Sequence, residues 1–227
     1  VTAAAGCLWW RRGRTRGGDA VLLDRDLLRT RGVRTAAVVA GAFYFCVTGS
    51  LFLLPLYLQQ VRGMSPASSG LAVLPVSLAV AGAALVSGRL MRTRGPRPLL
   101  LSGLLLTAGG VLIWCAAGEH SPYAGPVLAG LVVTGVGQGL AFPALTATGL
   151  RHVPDRAHGT ASAVTATALQ IGSGIGPTVL AGLAQAAGPA GPGDLSLPGH
   201  HLAYAVAAAL LLVVGLPATV RRAARRG

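Results

Sequence analysis

Few side chains in this sequence can make or break covalent bonds, and their placement argues against their doing so. His152, His158, His200 and His201 fall in the breaks between long apolar runs. No apolar run pairs a nucleophile with a base, the arrangement that group transfer requires. His200 and His201 are adjacent but have no carboxylate beside them, so they make a weak metal site. Cys7, Cys46 and Cys115 are far apart and set among apolar residues, which fits neither a disulfide framework nor a metal knuckle. The glycine-rich stretches lie inside apolar runs rather than in a phosphate-cradling loop. The expectation is a protein that is not an enzyme, with no catalytic residue, no metal and no cofactor.

What remains is chemistry of binding. Tyr44 and Thr48 are one helical turn apart, Gln138 and Phe142 share a helix face, and Thr167 lies close to Gln170. All six sit inside apolar runs. A glutamine amide in hydrocarbon must find a partner or face a water-filled cavity. An interhelical hydrogen bond, worth about 1 kcal/mol, and the lining of a substrate cavity therefore both remain open for Gln138 and Gln170. Packing is the better reading for Tyr44.

These residues need elements that hold them at membrane depth. Hydrophobic residues make up 52% of the chain and charged residues 11%. Mean hydropathy is +0.63. A soluble domain requires a more polar surface. A bilayer core about 30 Å thick is crossed by about 20 apolar residues in helix. Six segments free of Asp, Glu, Lys, Arg and His meet that length: Ala36–Leu58, Ala67–Ser87, Pro98–Ala117, Val127–Thr148, Ala161–Ala184 and Leu202–Val220. The sequence predicts an all-α membrane protein, a bundle of six transmembrane helices.

The net charge of +13 comes entirely from arginine, as there is no lysine. Eight arginines precede the first span, four lie between the second and third, two between the fourth and fifth, and four follow the sixth. The alternate connections hold only Arg62. The positive-inside rule makes the arginine-rich side cytoplasmic, with both ends of the bundle there. The charge thus reports topology and contact with the lipid bilayer, and a nucleic-acid partner is not expected.

Residues 1–10, VTAAAGCLWW, are apolar but too short to cross, and they end in Trp9 and Trp10 followed by Arg11 and Arg12. That is how a helix running from outside to inside finishes, so residues 1–10 are expected to be the tail of a transmembrane helix of a longer protein. Residues 11–35 are then a basic cytoplasmic linker, whose Leu22, Leu23, Leu27 and Leu28 could share the face of an interfacial helix. Residues 36–220 form the bundle and residues 221–227 a basic cytoplasmic tail. Inside the spans, Gly135 and Gly139 are four apart, as are Gly172 and Gly176, a spacing that lets helices approach closely. Pro143 and Pro177 can bend the helices that carry them.

With the spans in place, GRLMRTRGPRP (residues 88–98) resembles the cytoplasmic loop signature of the major facilitator superfamily, G-x-L-x-D-R-x-G-R/K. Gly88, Leu90, Arg94 (displaced by one place), Gly95 and Arg97 carry the likeness. The Asp that helps latch the cytoplasmic gate in the family is here Arg92, and Asp155 is a candidate substitute partner. LFLLPLYLQQVRGMSPASSGLAVLP resembles the first hairpin of the C-terminal six-helix bundle of the fourteen-helix drug:proton antiporters, the EmrB/QacA type. GVGQGLAFPALTA and VPDRAHGTASAVTATALQIGSGIG are similar to the fourth and fifth helices of that bundle, and LLDRDLLRTRGVR to the linker before it.

The resemblance implies the C-terminal half of a proton-coupled efflux transporter of drugs or other small molecules, working by alternating access in the cell membrane. It implies helices of the N-terminal half as partner, a small apolar or cationic substrate, and a proton gradient as energy source. No span as drawn contains an acid, a basic residue or a histidine, so the coupling acid is expected in that other half. A transporter of another solute, or a packing subunit that does not transport, fits the same sequence.

Overall fold

The computed structural model describes residues 31–118, 120–150, 153–154, 157–187 and 197–220, and these form six long helices. They are α1 (Arg31–Leu56), α2 (Pro66–Arg94), α3 (Pro96–Ile113), α4 (Leu128–Leu150), α5 (His158–Ala186) and α6 (Leu197–Val220). Among the described residues there is no strand. Pro55, Pro75, Pro143, Pro177 and Pro217 all lie inside these helices. Membrane helices tolerate such prolines because neighbouring groups can take up the freed carbonyls.

Several helices outrun the spans expected from sequence. α1 starts at Arg31, inside the stretch read as linker, and α2 continues past Ser87 to Arg94. The block from Arg89 to Arg97 is therefore not a loop. Arg92 and Arg94 occupy the last turn of α2, where positive charge complements the C-terminal end of the helix dipole. Gly95 alone joins α2 to α3. Its φ of +80° is a conformation that glycine adopts without steric cost, and its N–H donates to the Met91 carbonyl at 3.0 Å. Pro96 then opens α3, where its missing N–H does no harm.

α6 starts at Leu197, five residues before the expected Leu202. This corrects the placement of His200 and His201 in a loop: both lie at the N-terminal end of a helix, and His200 is 0% exposed. His158 is the first residue of α5. Neutral imidazole can be buried when aromatic faces and a carbonyl receive it, and a search for residues free of His truncates such a span.

The segments Gly32–Val61, Pro66–Arg94, Pro96–Ala116, Tyr123–Gly149 and Leu197–Pro217 are long and apolar enough to cross a membrane. α5 has the length, 29 residues or about 43 Å at 1.5 Å per residue. Its threonines, glycines and glutamines leave it less apolar than the other five.

Two three-helix units make the bundle. α1 packs on α5 as α4 packs on α2, and α3 packs on α4 as α6 packs on α1. α3 also meets α6, and α1 meets α4. Exchanging the first three helices for the last three reproduces this pattern. Because each unit has an odd number of helices, the two run in opposite directions, which is an inverted repeat. α1, α3, α4 and α6 surround a core that includes Phe43, Leu54, Leu104, Leu131, Trp114 and Leu211. α2 and α5 are left on opposite flanks.

Candidate functional site

Backbones come close where the seams contain glycine. A Cβ on Gly172 would collide with the Gly41 carbonyl oxygen, and one on Gly176 would lie 2.5 Å from the Phe45 carbonyl oxygen, both on α1. On the other flank a Cβ on Gly135 would lie 2.7 Å from the Val76 carbonyl oxygen, and one on Gly139 2.5 Å from that of Val80, both on α2. The two glycine pairs picked out by spacing thus occupy equivalent seams of the inverted repeat. Gly41 and Gly49 also face α5, and no four-residue spacing marks them.

Proline adds a second device at the α1–α5 seam. Pro177 has no N–H to give the Ser173 carbonyl one turn back. The Thr48 hydroxyl of α1 lies 3.4 Å from that oxygen and 2.5 Å from the Tyr44 carbonyl of its own helix. Thr48 therefore faces the helix seam rather than an open cavity. Sequence reading singled out Thr48 and Pro177 separately and missed Ser173; the i−4 relation to Pro177 was the available signal.

Thr167 is satisfied in a similar way, donating to the Ala163 carbonyl at 2.9 Å. Thr107, Thr148 and Thr165 do the same within their helices. Hydroxyl groups can pay for burial locally, but a glutamine side chain in a helix cannot. The Gln138 amide nitrogen is buried without a hydrogen-bond partner among the described residues. One turn along, Phe142 is 6.1 Å from the Tyr44 ring, with the planes tilted by 59°. Tyr44, Gln138 and Phe142 therefore border one seam, between α1 and α4.

Gln170 and Thr167 belong to a different surface. They lie on the exposed face of α5, with Ala163, Gly174 and Thr178, opposite the glycines that close on α1. The exposed face of α2 contrasts with it, presenting Leu71, Leu74, Leu78, Leu85 and Val86. The α5 flank mixes threonine and glutamine with exposed Ile171, Ile175 and Val179, while leucine dominates the α2 flank.

At the end of the bundle opposite Gly95, aromatic rings and imidazoles join four helices. His200 stands edge-on to Tyr57 at 5.8 Å, and Tyr204 lies 5.4 Å from Trp114. The Tyr57 hydroxyl donates to the Gly118 carbonyl at 2.8 Å, and Trp114 Nε1 donates to the Val127 carbonyl at 3.2 Å. His201 Nε2 is 3.0 Å from the Ala117 carbonyl oxygen. A widened, π-helical turn at Tyr57–Val61 and a kink at Gly125 flank this cluster. Sequence reading assigned these residues no role. Among the described residues, no three His, Cys, Asp or Glu side chains come together as a metal-binding set.

Of the gate residues, Gly88, Arg92 and Arg94 are exposed, while Gly95 and Arg97 are half-buried. Asp155 lies outside the described residues, as do residues 1–30 and the tail from Arg221.

Residues 2–177 match the family described as the Major Facilitator Superfamily. The chain belongs to the major facilitator superfamily. As a superfamily member built of long apolar helices, it is a multi-pass integral membrane protein of the cell membrane. It is 34% identical over 182 residues to the multidrug resistance protein Stp of Mycobacterium tuberculosis, covering 79% of this chain and 33% of the relative. It is 33% identical over 166 residues to the tetracycline resistance determinant of Streptomyces rimosus, covering 73% of this chain and 48% of the relative. It is 32% identical over 170 residues to the probable actinorhodin transporter of Streptomyces coelicolor, covering 73% and 29%. The chain thus spans between about a third and a half of the length of these superfamily relatives.

Proposed function

We propose that this chain forms the C-terminal six-helix half of a proton-coupled efflux transporter for drugs or similar small molecules, working by alternating access. The exposed face of α5 carries the reading. A transmembrane helix facing lipid has no use for Thr167, Gln170, Gly174 and Thr178 along one side, since polar groups at that depth turn toward protein or water. The second bundle of the same transporter supplies that surface, and the space between the bundles holds the substrate. Tyr44 and Phe142 offer aromatic faces there, and the Gln138 amide offers hydrogen bonds. The multidrug, tetracycline and actinorhodin names of the relatives support flat or apolar organic cargo.

Between the helix ends the described residues contain no acid, so the charge change that couples protons to transport falls to the other half. Arg92, Arg94 and Arg97 belong to the cytoplasmic rim on this reading, and Asp155, the acid in the inner connections between spans, is their candidate partner. The test is the complete transporter expressed in a drug-sensitive bacterium, with efflux of a fluorescent aromatic cation followed in energised cells. Efflux that stops when a protonophore collapses the gradient supports the proposal. Efflux that survives the protonophore defeats proton coupling, and no efflux of any aromatic compound tried defeats the drug reading.

A further inference from the structure

The exposed leucine face of α2 ends in arginine. Leu78, Gly82, Leu85, Arg89 and Arg92 are all exposed. At 100° per residue they fall within about 80° of helix arc, a single stripe. Gly82 has nothing within 4 Å of where a Cβ would stand, so it leaves a notch between Leu78 and Leu85. From Leu78 to Arg89 the stripe rises about 16 Å, close to one leaflet of a hydrocarbon core about 30 Å thick. Between Gly88 and Pro98 there are four arginines and no acid.

We propose that this stripe is a binding site for one anionic phospholipid, its phosphate between Arg89 and Arg92 and an acyl chain in the Gly82 notch. Charge complementarity selects the occupant. Where the resembling signature has an Asp, this chain has Arg92, which turns a loop of mixed charge into an anion site. Arginine suits phosphate oxygens because its planar fork can donate two parallel hydrogen bonds. The apolar stripe beneath it excludes a soluble phosphate as the intended ligand, and the leucine-rich face of α2 contrasts with the mixed face of α5. Arginine near a membrane surface favours anionic over zwitterionic lipid by about five-fold per residue.

The chain is expressed in bacteria and extracted with its surrounding lipid in styrene–maleic acid particles, and the lipids are counted by mass spectrometry against the bulk membrane. Phosphatidylglycerol should be enriched over phosphatidylethanolamine. The Arg89→Gln, Arg92→Gln double variant should lose most of that enrichment, and the corresponding double lysine variant, which keeps the charge without the fork, should keep part of it. Gly82→Leu, which fills open space, should lower the enrichment with both arginines intact. All three sites are exposed, and membrane yield and circular dichroism check that each variant folds. No enrichment over bulk membrane, or equal enrichment in the double Gln variant, overturns the proposal. So does a photoactivatable group on Arg92→Cys that captures an acidic protein segment instead of phosphatidylglycerol.

Discussion

The Thr48 hydroxyl of α1 sits 3.4 Å from the Ser173 carbonyl oxygen of α5, the acceptor that Pro177 leaves without its helical donor. A side chain from one helix thus attends to a break in another, at the seam where the glycines of both helices bring the backbones together. The single hydroxyl proton is shared between the Ser173 oxygen and the nearer Tyr44 carbonyl at 2.5 Å, so the interhelical arm is the weaker of the two. The first prediction concerns this contact. Thr48→Val keeps the shape and removes the donor, and should destabilise the bundle by roughly 1 kcal/mol, the usual size of an interhelical hydrogen bond in a membrane. Thr48→Ser should recover most of the loss. Thermal unfolding of the purified chain in one detergent measures both, and a Val variant as stable as the original would refute the role.

Glycines on α5 should differ sharply in their tolerance of a side chain. A Cβ at Gly172 runs into the Gly41 carbonyl, whereas Gly174 faces open space. Gly172→Val should therefore separate α1 from α5 and cost more than the 1–3 kcal/mol typical of overpacking, seen as lost monodisperse protein in size-exclusion chromatography. Gly174→Ala should be neutral or slightly stabilising, because alanine favours helix over glycine. Equal behaviour of the two variants would place the seam elsewhere.

The arginine distribution gives a topology that labelling can check. Single cysteines replacing Arg92 and His120, in a background without Cys7, Cys46 and Cys115, should react from opposite sides of sealed cells. His120→Cys should label with an impermeant maleimide from outside, and Arg92→Cys only after the cells are opened. Outside labelling of Arg92→Cys would invert the orientation.

Helix number and the polar positions within the helices were legible because both follow from side-chain type along the chain. Gly172 with Gly176 and Gly135 with Gly139 could be marked by spacing alone, although not the helices they touch. Three features were hidden for definite reasons. Excluding histidine from a span cuts off the start of α6, yet His200 is buried there because Tyr57, distant in sequence, joins Tyr204 of the next turn in receiving its ring. Sequence alone sets the arginines at Arg89–Arg97 between two spans because charge marks the membrane boundary, not the helix boundary. Thr48 was grouped with cavity candidates because a polar residue looks the same in sequence whether its partner is water or the orphaned carbonyl of another helix.

Gln138 and Gln170 should behave differently from the hydroxyl residues when the complete transporter is probed. Neither amide has a carbonyl of its own helix to satisfy it as Thr167 has, and Gln138 stands one turn from the Tyr44–Phe142 pair. Gln138→Cys and Gln170→Cys should react with small polar thiol reagents, and transported substrate should slow the reaction at Gln138→Cys. Thr48→Cys, held in the α1–α5 seam, should react at least ten times more slowly. Inert cysteines at both glutamine positions in an actively transporting protein would make them packing residues.

Expressed alone, this 227-residue chain should insert into the membrane and yet fail to pump. Five of its helices are long and apolar enough to enter a bilayer on that ground alone, and α5 can enter against α1 through the Gly172 and Gly176 seam. Alternating access, however, needs a second bundle that moves against the first. Proton coupling also needs a group that changes charge at membrane depth. The histidines seated nearest to it are His200 and His201, but they belong to the aromatic cluster at the end of the bundle opposite Gly95 rather than to the Tyr44–Phe142 seam. The exposed face of α5, with Thr167, Gln170 and Thr178 turned to lipid, should shorten the lifetime of the isolated chain in cells. Vesicles containing only this chain, loaded with a fluorescent cation and given a proton gradient, should release no more than empty vesicles. Gradient-dependent release above that level would show that six helices suffice, and that His200 or His201 carries the proton after all.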